Sequence, residues 1–418
     1  MVAGKRTTAR RLLFHLAGIP ALLLASQLGP ARAQQADATA SAAPATPTYG
    51  RLATVAIPGN PLTVFDISYV DPFLPLYYLA DRSNAGVDVV DVVNNRYLTR
   101  VGGFVGVRNG ANGQPSTAVS GPNGVQPVGV GELWAGDGDS TVKVIDLAKQ
   151  EVVATISTVR TDEPGHTADT DKRVDEMSYD PRDRIIAVAN NAASPPFVTF
   201  ISTRAPDRAV LGRIVFSDYA GVEQSVYNPR TGLFYVNLTA RNDDPDTGGV
   251  AVVDPRTLGV LRVFPVAGCE PSGLALGPRQ NLLVGCARTD NTQVVSARTG
   301  EVQAVITEVA GEDEVWFNPG DRNYYLSARN NPASKGGPVL GIVSSRTDAV
   351  VATVPTDPGA HSVAADWRTN RIFVPLSPNA ADPACATGCI GVFGRTDAGA
   401  QSSGVNEAFV QRWLSSAE

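Results

Sequence analysis

The chain has 418 residues, with 35 Lys or Arg, 41 Asp or Glu and three His. Residues 1–33 hold five of the basic side chains and none of the acidic ones, so the remaining 30 basic and 41 acidic side chains give a net charge of about −11. This charge argues against a nucleic-acid binder, because phosphate contacts need clustered cationic side chains. So few histidines also argue against a zinc or copper centre made of several His side chains.

The first predicted element is an export signal over residues 1–33. A basic segment precedes an apolar run over residues 12–25, and Ala31-Arg32-Ala33 gives a cleavage site of the small-x-small type. Pro20 interrupts the apolar run, which is also too short to be a good membrane span. A pair of arginines loosely fits a twin-arginine signal, so this route and the general secretory route both stay open. We expect a periplasmic or secreted protein.

Residues 34–48 come next and are rich in Ala, Thr, Pro and Gln, with no apolar period. This composition does not support a packed core and predicts a disordered linker. No later apolar stretch is long enough to cross a bilayer, so no membrane span is expected after the signal is cleaved.

A repeated pattern of short strands then fills residues 49–397. Each unit has a polar or acidic residue, an apolar strand, a turn that contains Pro, and further short apolar strands. The first-strand segments are Asp66–Pro72, Asp175–Pro181, Glu223–Pro229, Ser272–Pro278, Asp313–Pro319 and His361–Trp367, with a looser copy at Gly121–Val125. From residue 181 onward the turns recur every 41 to 49 residues. Four strands per unit at this period predict the blades of a β-propeller.

The repeats number seven, but the last unit lacks a fourth strand. Arg51–Ile57 looks like the fourth strands elsewhere, and its pairing with the last blade would close the ring and remove an exposed sheet edge. The predicted fold class is therefore all-β, a single seven-bladed propeller of four-stranded blades over residues 49–397. Residues 398–418 form a predicted tail that can include a short helix.

The repeats carry a family resemblance. Phe234-Tyr-Val-Asn237 and third strands that end in Val-Ile-Asp, as in Val142–Asp146, resemble the YVTN-type β-propeller repeat proteins of bacteria and archaea. The resemblance covers about residues 50–396 and implies the propeller architecture. Members and structural relatives include binding and surface proteins, lactonases, lyases and subunits of redox enzymes, so the resemblance implies no single activity.

Four cysteines in a chain with an export signal predict two disulfides. Cys385 and Cys389 can close a small loop, and Cys269 and Cys286 lie at neighbouring ends of two strands that we expect to pair. A metal site at the Cys-x3-Cys spacing is disfavoured, because no His is nearby and no second pair lies at a suitable spacing.

The candidate functional residues follow from the geometry of a propeller, in which first strands begin and second strands end on the same face. This face, the rim, should carry carboxylates interleaved with guanidinium groups. First strands place there, or next to it, Asp66, Asn123, Asp175, Glu176, Glu223, Glu270, Asp313, Glu314 and His361. Second strands supply Arg82, Arg241, Arg288 and Arg329.

Two interpretations of this rim stay open. In the first, each acid pairs with the Arg of its own blade and the pairs are structural. In the second, carboxylates without a matched cation have raised pKa values or hold a cation. Asp175 and His361 are expected to face Asn191 and Asn379 instead of Arg. His166, in an acidic loop, is expected to be solvated.

Three functions follow from these interpretations. The first is a non-catalytic binding or scaffold protein that recognises a small polar molecule, glycan or peptide through Asp66, Arg82, Asn123, Arg241, Arg288 and Arg329. The alternative is a metal-assisted hydrolase, lactonase or lyase, in which Glu223, Glu270 and Asp313 hold one divalent cation such as calcium and His361, Asp175 and Glu176 are catalytic. The third is an accessory subunit of a periplasmic redox enzyme.

Overall fold

The computed structural model describes residues 47–331, 337–357 and 359–397. The predicted export signal, residues 34–46 of the predicted linker and the predicted tail lie outside the described residues. Within the described part of the chain, no helix has the length and apolar character needed to cross a membrane.

The described residues form seven antiparallel sheets of four strands each. Strand β1 (Tyr49–Ala56) belongs to the last sheet. Blade one contains β2 (Ser68–Val70), β3 (Leu76–Asp81), β4 (Gly86–Asp91) and β5 (Arg96–Gly102). Blade two contains β6 (Val125–Val128), β7 (Glu132–Gly136), β8 (Thr141–Asp146) and β9 (Glu151–Ser157). Blade three contains β10 (Met177–Asp180), β11 (Ile185–Asn190), β12 (Phe197–Ser202) and β13 (Val210–Val215).

The remaining blades repeat this plan. Blade four contains β14 (Val222–Asn228), β15 (Leu233–Leu238), β16 (Thr247–Asp254) and β17 (Gly259–Ala267). Blade five contains β18 (Pro271–Gly277), β19 (Asn281–Cys286), β20 (Thr292–Ser296) and β21 (Val302–Ile306). Blade six contains β22 (Glu312–Asn318), β23 (Asn323–Ala328), β24 (Val339–Ser344) and β25 (Ala349–Pro355). Blade seven contains β26 (Ala364–Asp366), β27 (Arg371–Leu376) and β28 (Cys389–Arg395), together with β1.

Among the described residues, helices are short and lie in the loops. One turn of α-helix, α1, covers Ala168–Asp171. The 3-10 turns are Arg82–Asn84, Thr117–Val119, Pro278–Gln280 and Pro383–Cys385. The all-β, seven-bladed architecture predicted from the repeats is confirmed.

The ring closes through β1, the first strand of the described residues. Strand β1 pairs antiparallel with β28, from Tyr49 opposite Arg395 to Ala56 opposite Cys389. The sheet order is β1, β28, β27, β26, so the N-terminal strand supplies the missing outer strand of blade seven. The predicted closure is confirmed, and the outer edge of β28 is thereby covered.

The hydrophobic cores lie between neighbouring blades. Phe200 of blade three meets Phe234 of blade four edge to face, with ring centroids 5.9 Å apart, in a cluster drawn from both blades. A blade alone would leave such residues exposed, so each blade is completed by its neighbour. This packing fixes the first strand of each blade. The first strands begin at one end of the ring, and the turns that lead into the second strands lie at the other end.

Both predicted disulfides are formed. Cys269, which lies two residues before β18, is bonded to Cys286 at the end of β19, with their Cα atoms 5.0 Å apart. Cys385 and Cys389 close the loop before β28, also with Cα atoms 5.0 Å apart.

Candidate functional site at the rim

A polar cavity of about 480 Å³ lies at the end of the propeller where the first strands begin. We call it the rim cavity. Four carboxylates, four guanidinium groups and one imidazole line it: Asp66, Glu223, Glu270, Asp313, Arg82, Arg173, Arg288, Arg329 and His361. The sequence predicted eight of these nine residues at the rim, and missed Arg173.

The pair of Asp66 with Arg82 anchors one side of the cavity. Arg82 Nη2 contacts Asp66 Oδ2, and Arg82 Nε donates to Asn123 Oδ1 at 2.8 Å. Asn123 in turn donates from Nδ2 to the carbonyl oxygen of Val174 at 2.9 Å. Burial disfavours the charged form of Asp66, but Arg82, helped by His361 and Arg173, outweighs it and lowers the pKa of this carboxyl. Asn123 therefore positions Arg82, and the expected same-blade pair is present.

Arg173 supplies the cation that the sequence interpretation denied to Asp175. Its Nη2 lies 2.6 Å from Asp175 Oδ2, its Nε donates to Asn191 Oδ1 at 2.9 Å, and its Nη1 is 4.0 Å from Asp66 Oδ2. The expectation that Asp175 faces Asn191 without a matched cation was therefore wrong. Burial still raises the pKa of Asp175 to about 7, because Asp66 and Asp313 offset part of the effect of Arg173.

Glu223 is the rim carboxylate that lacks a cationic partner. Its expected partner, Arg241, points away and lies 3.6 Å from Asp218, with about half of its side chain exposed. No Lys or Arg nitrogen of the described residues lies within 4 Å of Glu223, and its Oε2 accepts a long hydrogen bond of 3.5 Å from Asn191 Nδ2. Burial, with Asp175 and Asp313 nearby, raises the pKa of Glu223 well above its ordinary value. The predicted Glu223–Arg241 pair was wrong.

The same-blade pairs of blades five and six are present and open to solvent. Glu270 Oε2 lies 3.4 Å from Arg288 Nε, and Asp313 Oδ2 lies 3.1 Å from Arg329 Nη1. The Arg288 side chain is 76% exposed and that of Arg329 is 38% exposed. These two cations can therefore meet a ligand without leaving the rim.

The carboxylates predicted as metal ligands are not gathered into a cation site. No group of three or more His, Cys, Asp or Glu among the described residues could hold a metal ion. Glu270 and Asp313 face guanidinium groups instead, and Glu223 contacts Asn191. The geometry thus gives no support to the predicted role of Glu223, Glu270 and Asp313 as metal ligands.

His361 is fixed by three neighbours. Its Nδ1 lies 2.6 Å from the carbonyl oxygen of Gly359, its Nε2 lies 3.5 Å from Asp66 Oδ1, and its ring stacks on Phe65 with centroids 4.9 Å apart. The carbonyl contact requires the proton on Nδ1, which leaves Nε2 towards Asp66. Asn379, which was expected to face His361, donates instead to Asp357 Oδ1 at 2.8 Å.

Glu176 and Glu314 do not line the rim cavity, although each follows a rim acid in sequence. Both residues instead line a second cavity, which extends to the end of the propeller where the first strands turn into the second strands. Glu176 therefore faces this second cavity, although Asp175, Glu223 and Asp313 lie near enough to act on its carboxyl. His166 is not simply solvated either, since its Nδ1 lies 2.7 Å from the buried Asp171.

Comparison with known proteins shows the architecture. A chain in a crystal structure of the mitotic checkpoint complex is similar, with 12% identity and a TM-score of 0.58 over 88% of this chain and 99% of that chain. The chain is a seven-bladed β-propeller. At this identity the likeness shows the fold alone. No protein-family model matches the sequence, and no curated protein matches it. The propeller fold serves many functions, so the site has to carry the functional argument.

Proposed function

We propose that the protein is an exported binding protein whose rim cavity takes a small polar ligand that carries both a positive and a negative group. The carrying observation is the charge pattern of the cavity. Glu223 offers a carboxyl without a cationic partner, while Arg288 and Arg329 expose guanidinium groups in the same cavity. An amino acid or a short peptide has the ammonium and carboxylate groups that complement this pattern.

The size and rigidity of the cavity support a small ligand. About 480 Å³ lies within the range of small-molecule sites. Arg82 is held on three sides, by Asp66, Asn123 and the carbonyl oxygen of Phe65, so one wall is fixed before a ligand arrives. A preformed polar wall reduces the loss of side-chain conformational entropy that opposes binding.

Isothermal titration calorimetry of the mature protein tests the proposal. The ligands are amino acids and dipeptides, with neutral saccharides and simple carboxylates for comparison. A zwitterion should bind, because its ammonium group favours the ionised form of the buried Glu223 carboxyl. Glu223→Gln should weaken this binding by about tenfold or more, because an amide cannot ionise to pair with the ammonium group. Binding that prefers neutral saccharides, or that is unchanged in both Glu223→Gln and Arg329→Gln, would overturn the proposal.

Arg241→Gln is the matched control for these variants. Arg241 follows a second strand as Arg288 and Arg329 do, but its guanidinium group contacts Asp218 and does not line the cavity. Its substitution should leave zwitterion affinity unchanged. A loss equal to that of Arg329→Gln would show that the variants act through general charge and not through the cavity.

The two other functions have no observation in their favour. The metal-assisted enzyme needs carboxylates grouped around one cation, and the described residues form no group that could hold a metal ion. The redox accessory role rests on a twin-arginine signal that lies outside the described residues. The binding function is therefore the one carried forward.

Kinship with the YVTN-type repeat proteins and export are part of the same proposal. The Asn237 side chain of the Phe234–Asn237 segment donates from Nδ2 to the carbonyl oxygens of Ser272 and Gly273, at 3.0 and 2.8 Å, which links blade four to blade five. This structural role supports the resemblance.

The two disulfides support an oxidising compartment. N-terminal sequencing of protein from a periplasmic extract tests export, and a start at Met1 would contradict it.

A further inference from the structure

A second cavity, of about 890 Å³, opens at the end of the propeller where the first strands turn into the second strands. We call it the turn-side cavity. It shares no lining residue with the rim cavity, so the proposed binding function does not use it. Its volume falls in the upper part of the range for small-molecule sites.

Aromatic side chains form much of its wall. Tyr69, Tyr179, Tyr227 and Trp316 line it, and Trp316 meets Tyr69 edge to face with ring centroids 4.7 Å apart. The indole Nε1 of Trp316 is buried and has no hydrogen-bond partner among the described residues. Such a wall can take a flat ring by stacking and edge contacts, and it offers an unused donor.

Arginine side chains surround its opening. Arg184, Arg230 and Arg279 lie on turns that follow first strands, Arg298 lies on the turn after β20, and all four are exposed. Arg279 is paired with Asp348, with Nη2 2.8 Å from Oδ2. The guanidinium groups of Arg184, Arg230 and Arg298 make no hydrogen bond or ion pair with other described residues. Three cations are thus available to an anionic group at the opening.

The inner end of the cavity carries two acids that do not cancel this charge. Glu176 is 4% exposed, and its Oε2 has no hydrogen-bond partner among the described residues. Glu314 accepts from the Val363 backbone N–H at 3.0 Å. Burial raises the pKa of Glu314 to about 8 and that of Glu176 well above its ordinary value. Burial thus favours the neutral form of both carboxyls, which does not offset the charge of the arginines and can donate to a ligand.

We propose that the turn-side cavity binds a small aromatic anion. Its ring lies against Trp316 and Tyr69, and its acidic group lies among Arg184, Arg230 and Arg298. The exposed cations, the aromatic wall and the unpartnered Glu176 carboxyl each meet one part of such a ligand. A cationic ligand would meet the arginines at the opening, and a neutral apolar one would leave the polar groups unpaired.

Fluorescence titration of the mature protein with 2-naphthoate tests this site. The matched neutral probe is naphthalene-2-carboxamide, which keeps the ring and removes the charge. Naphthoate should quench the emission of Trp316, and the quenching should disappear in Trp316→Phe. The amide should bind about tenfold more weakly or worse, because it lacks the charge that the arginines recognise.

Two further variants locate the charge. The double variant Arg184→Gln/Arg230→Gln should bind naphthoate about tenfold more weakly or worse. Arg256→Gln is the control, because Arg256 is an exposed residue that pairs with Asp254 and does not line the cavity. All these arginines are exposed, so circular dichroism should show each variant folded. Absence of naphthoate binding, or equal binding of naphthoate and the amide in the unmodified protein, would overturn the proposal. Equal affinity in the double variant and Arg256→Gln would also overturn it.

Discussion

Arg173 and Asp175 lie two residues apart on the segment that leads into β10, and Arg173 Nη2 is 2.6 Å from Asp175 Oδ2. Both side chains are largely buried, and the same guanidinium group reaches Asn191 and approaches Asp66. One residue thus holds two rim carboxylates and an amide in place.

We expect Arg173→Leu to destabilise the protein in a pH-dependent way. At pH 8 the variant leaves the Asp175 carboxylate buried without a partner, which should cost about 3 kcal/mol of unfolding free energy. At pH 5 the cost should be smaller, because Asp175, with its pKa already raised to about 7, can take up a proton. Urea denaturation at the two pH values measures both effects.

The control for this variant is Arg241→Leu. The exposed pair of Arg241 with Asp218 should contribute less than about 1 kcal/mol at either pH. The double variant Arg173→Leu/Asp175→Asn should recover part of the loss at pH 8, since it removes the stranded charge. Equal stability of Arg173→Leu and Arg241→Leu at pH 8 would contradict the role given to Arg173.

The propeller fold could be predicted from the sequence because each blade repeats the same residues at the ends of its strands and in its turns. One example is the acid at the end of the third strand. Asp91 accepts from the backbone N–H groups of Val93 and Asn94, and Asp146 does the same for Ala148 and Lys149. A turn fixed by its own residues can be predicted from its own residues. The closing strand was predictable for a related reason. The seventh repeat lacks a fourth strand, so a closed ring requires that strand to come from elsewhere in the chain.

The rim was only partly predictable because some of its contacts come from outside the repeat. Arg173 lies on a loop between blades two and three, which has no counterpart in the repeated pattern. Arg241 occupies a repeat position, but isolated bridges to Tyr219 and Asp244 hold its backbone in a local loop pairing. Its side chain then meets Asp218 instead of Glu223. Repeat register predicts where a strand ends and not where a long side chain goes.

A buried acid away from both cavities should give the protein a measurable pH dependence. Glu312 accepts from Thr292 Oγ1 at 2.7 Å and from the Cys286 backbone N–H at 3.3 Å, and burial raises its pKa to about 7. The folded state holds this proton more tightly than the unfolded state. The resulting stabilisation is complete below pH of about 4.5 and is lost as the pH rises to about 7, by roughly 3 kcal/mol.

Glu312→Gln should remove this part of the pH dependence, because an amide does not titrate. Unfolding free energy from urea denaturation between pH 4.5 and 8 is the measurement, and the variant should show the shallower decline. Glu151→Gln, on the exposed face of β9, should keep the decline of the unmodified protein. If Glu312→Gln declines as steeply as Glu151→Gln, Glu312 is not protonated in the folded state.

The two disulfides should contribute unequally to stability. Cys269 and Cys286 are separated by 17 positions, and Cys385 and Cys389 by four. In the chain-entropy account the longer loop should stabilise by about 3 kcal/mol and the shorter one by about 2 kcal/mol. Chemical denaturation of Cys269→Ala/Cys286→Ala and Cys385→Ala/Cys389→Ala compares them. A greater loss in the second double variant would mean that the loop before β28 matters for another reason, such as its contact with β1.

Closure of the ring by β1 predicts that substitutions at two residues of that strand differ strongly in their effect on the unfolding free energy. Val55 is 3% exposed, pairs with Ile390 and packs in the core between blades seven and one, whereas Leu52 is 48% exposed. Val55→Asp should cost more than about 3 kcal/mol, because it buries a charge without a partner. Leu52→Asp should change the unfolding free energy by less than about 0.5 kcal/mol.

Hydrogen exchange shows whether the loss of stability in Val55→Asp is confined to β1 or affects all seven blades. If β1 closes the propeller, Val55→Asp should raise the exchange of the β28 amides that face β1 and then lower the stability of all seven blades together, because every blade depends on its neighbours. Denaturation would then remain a single transition with an earlier midpoint. A variant in which only β1 exchanges faster, with an unchanged midpoint, would mean that the other strands hold the ring without it.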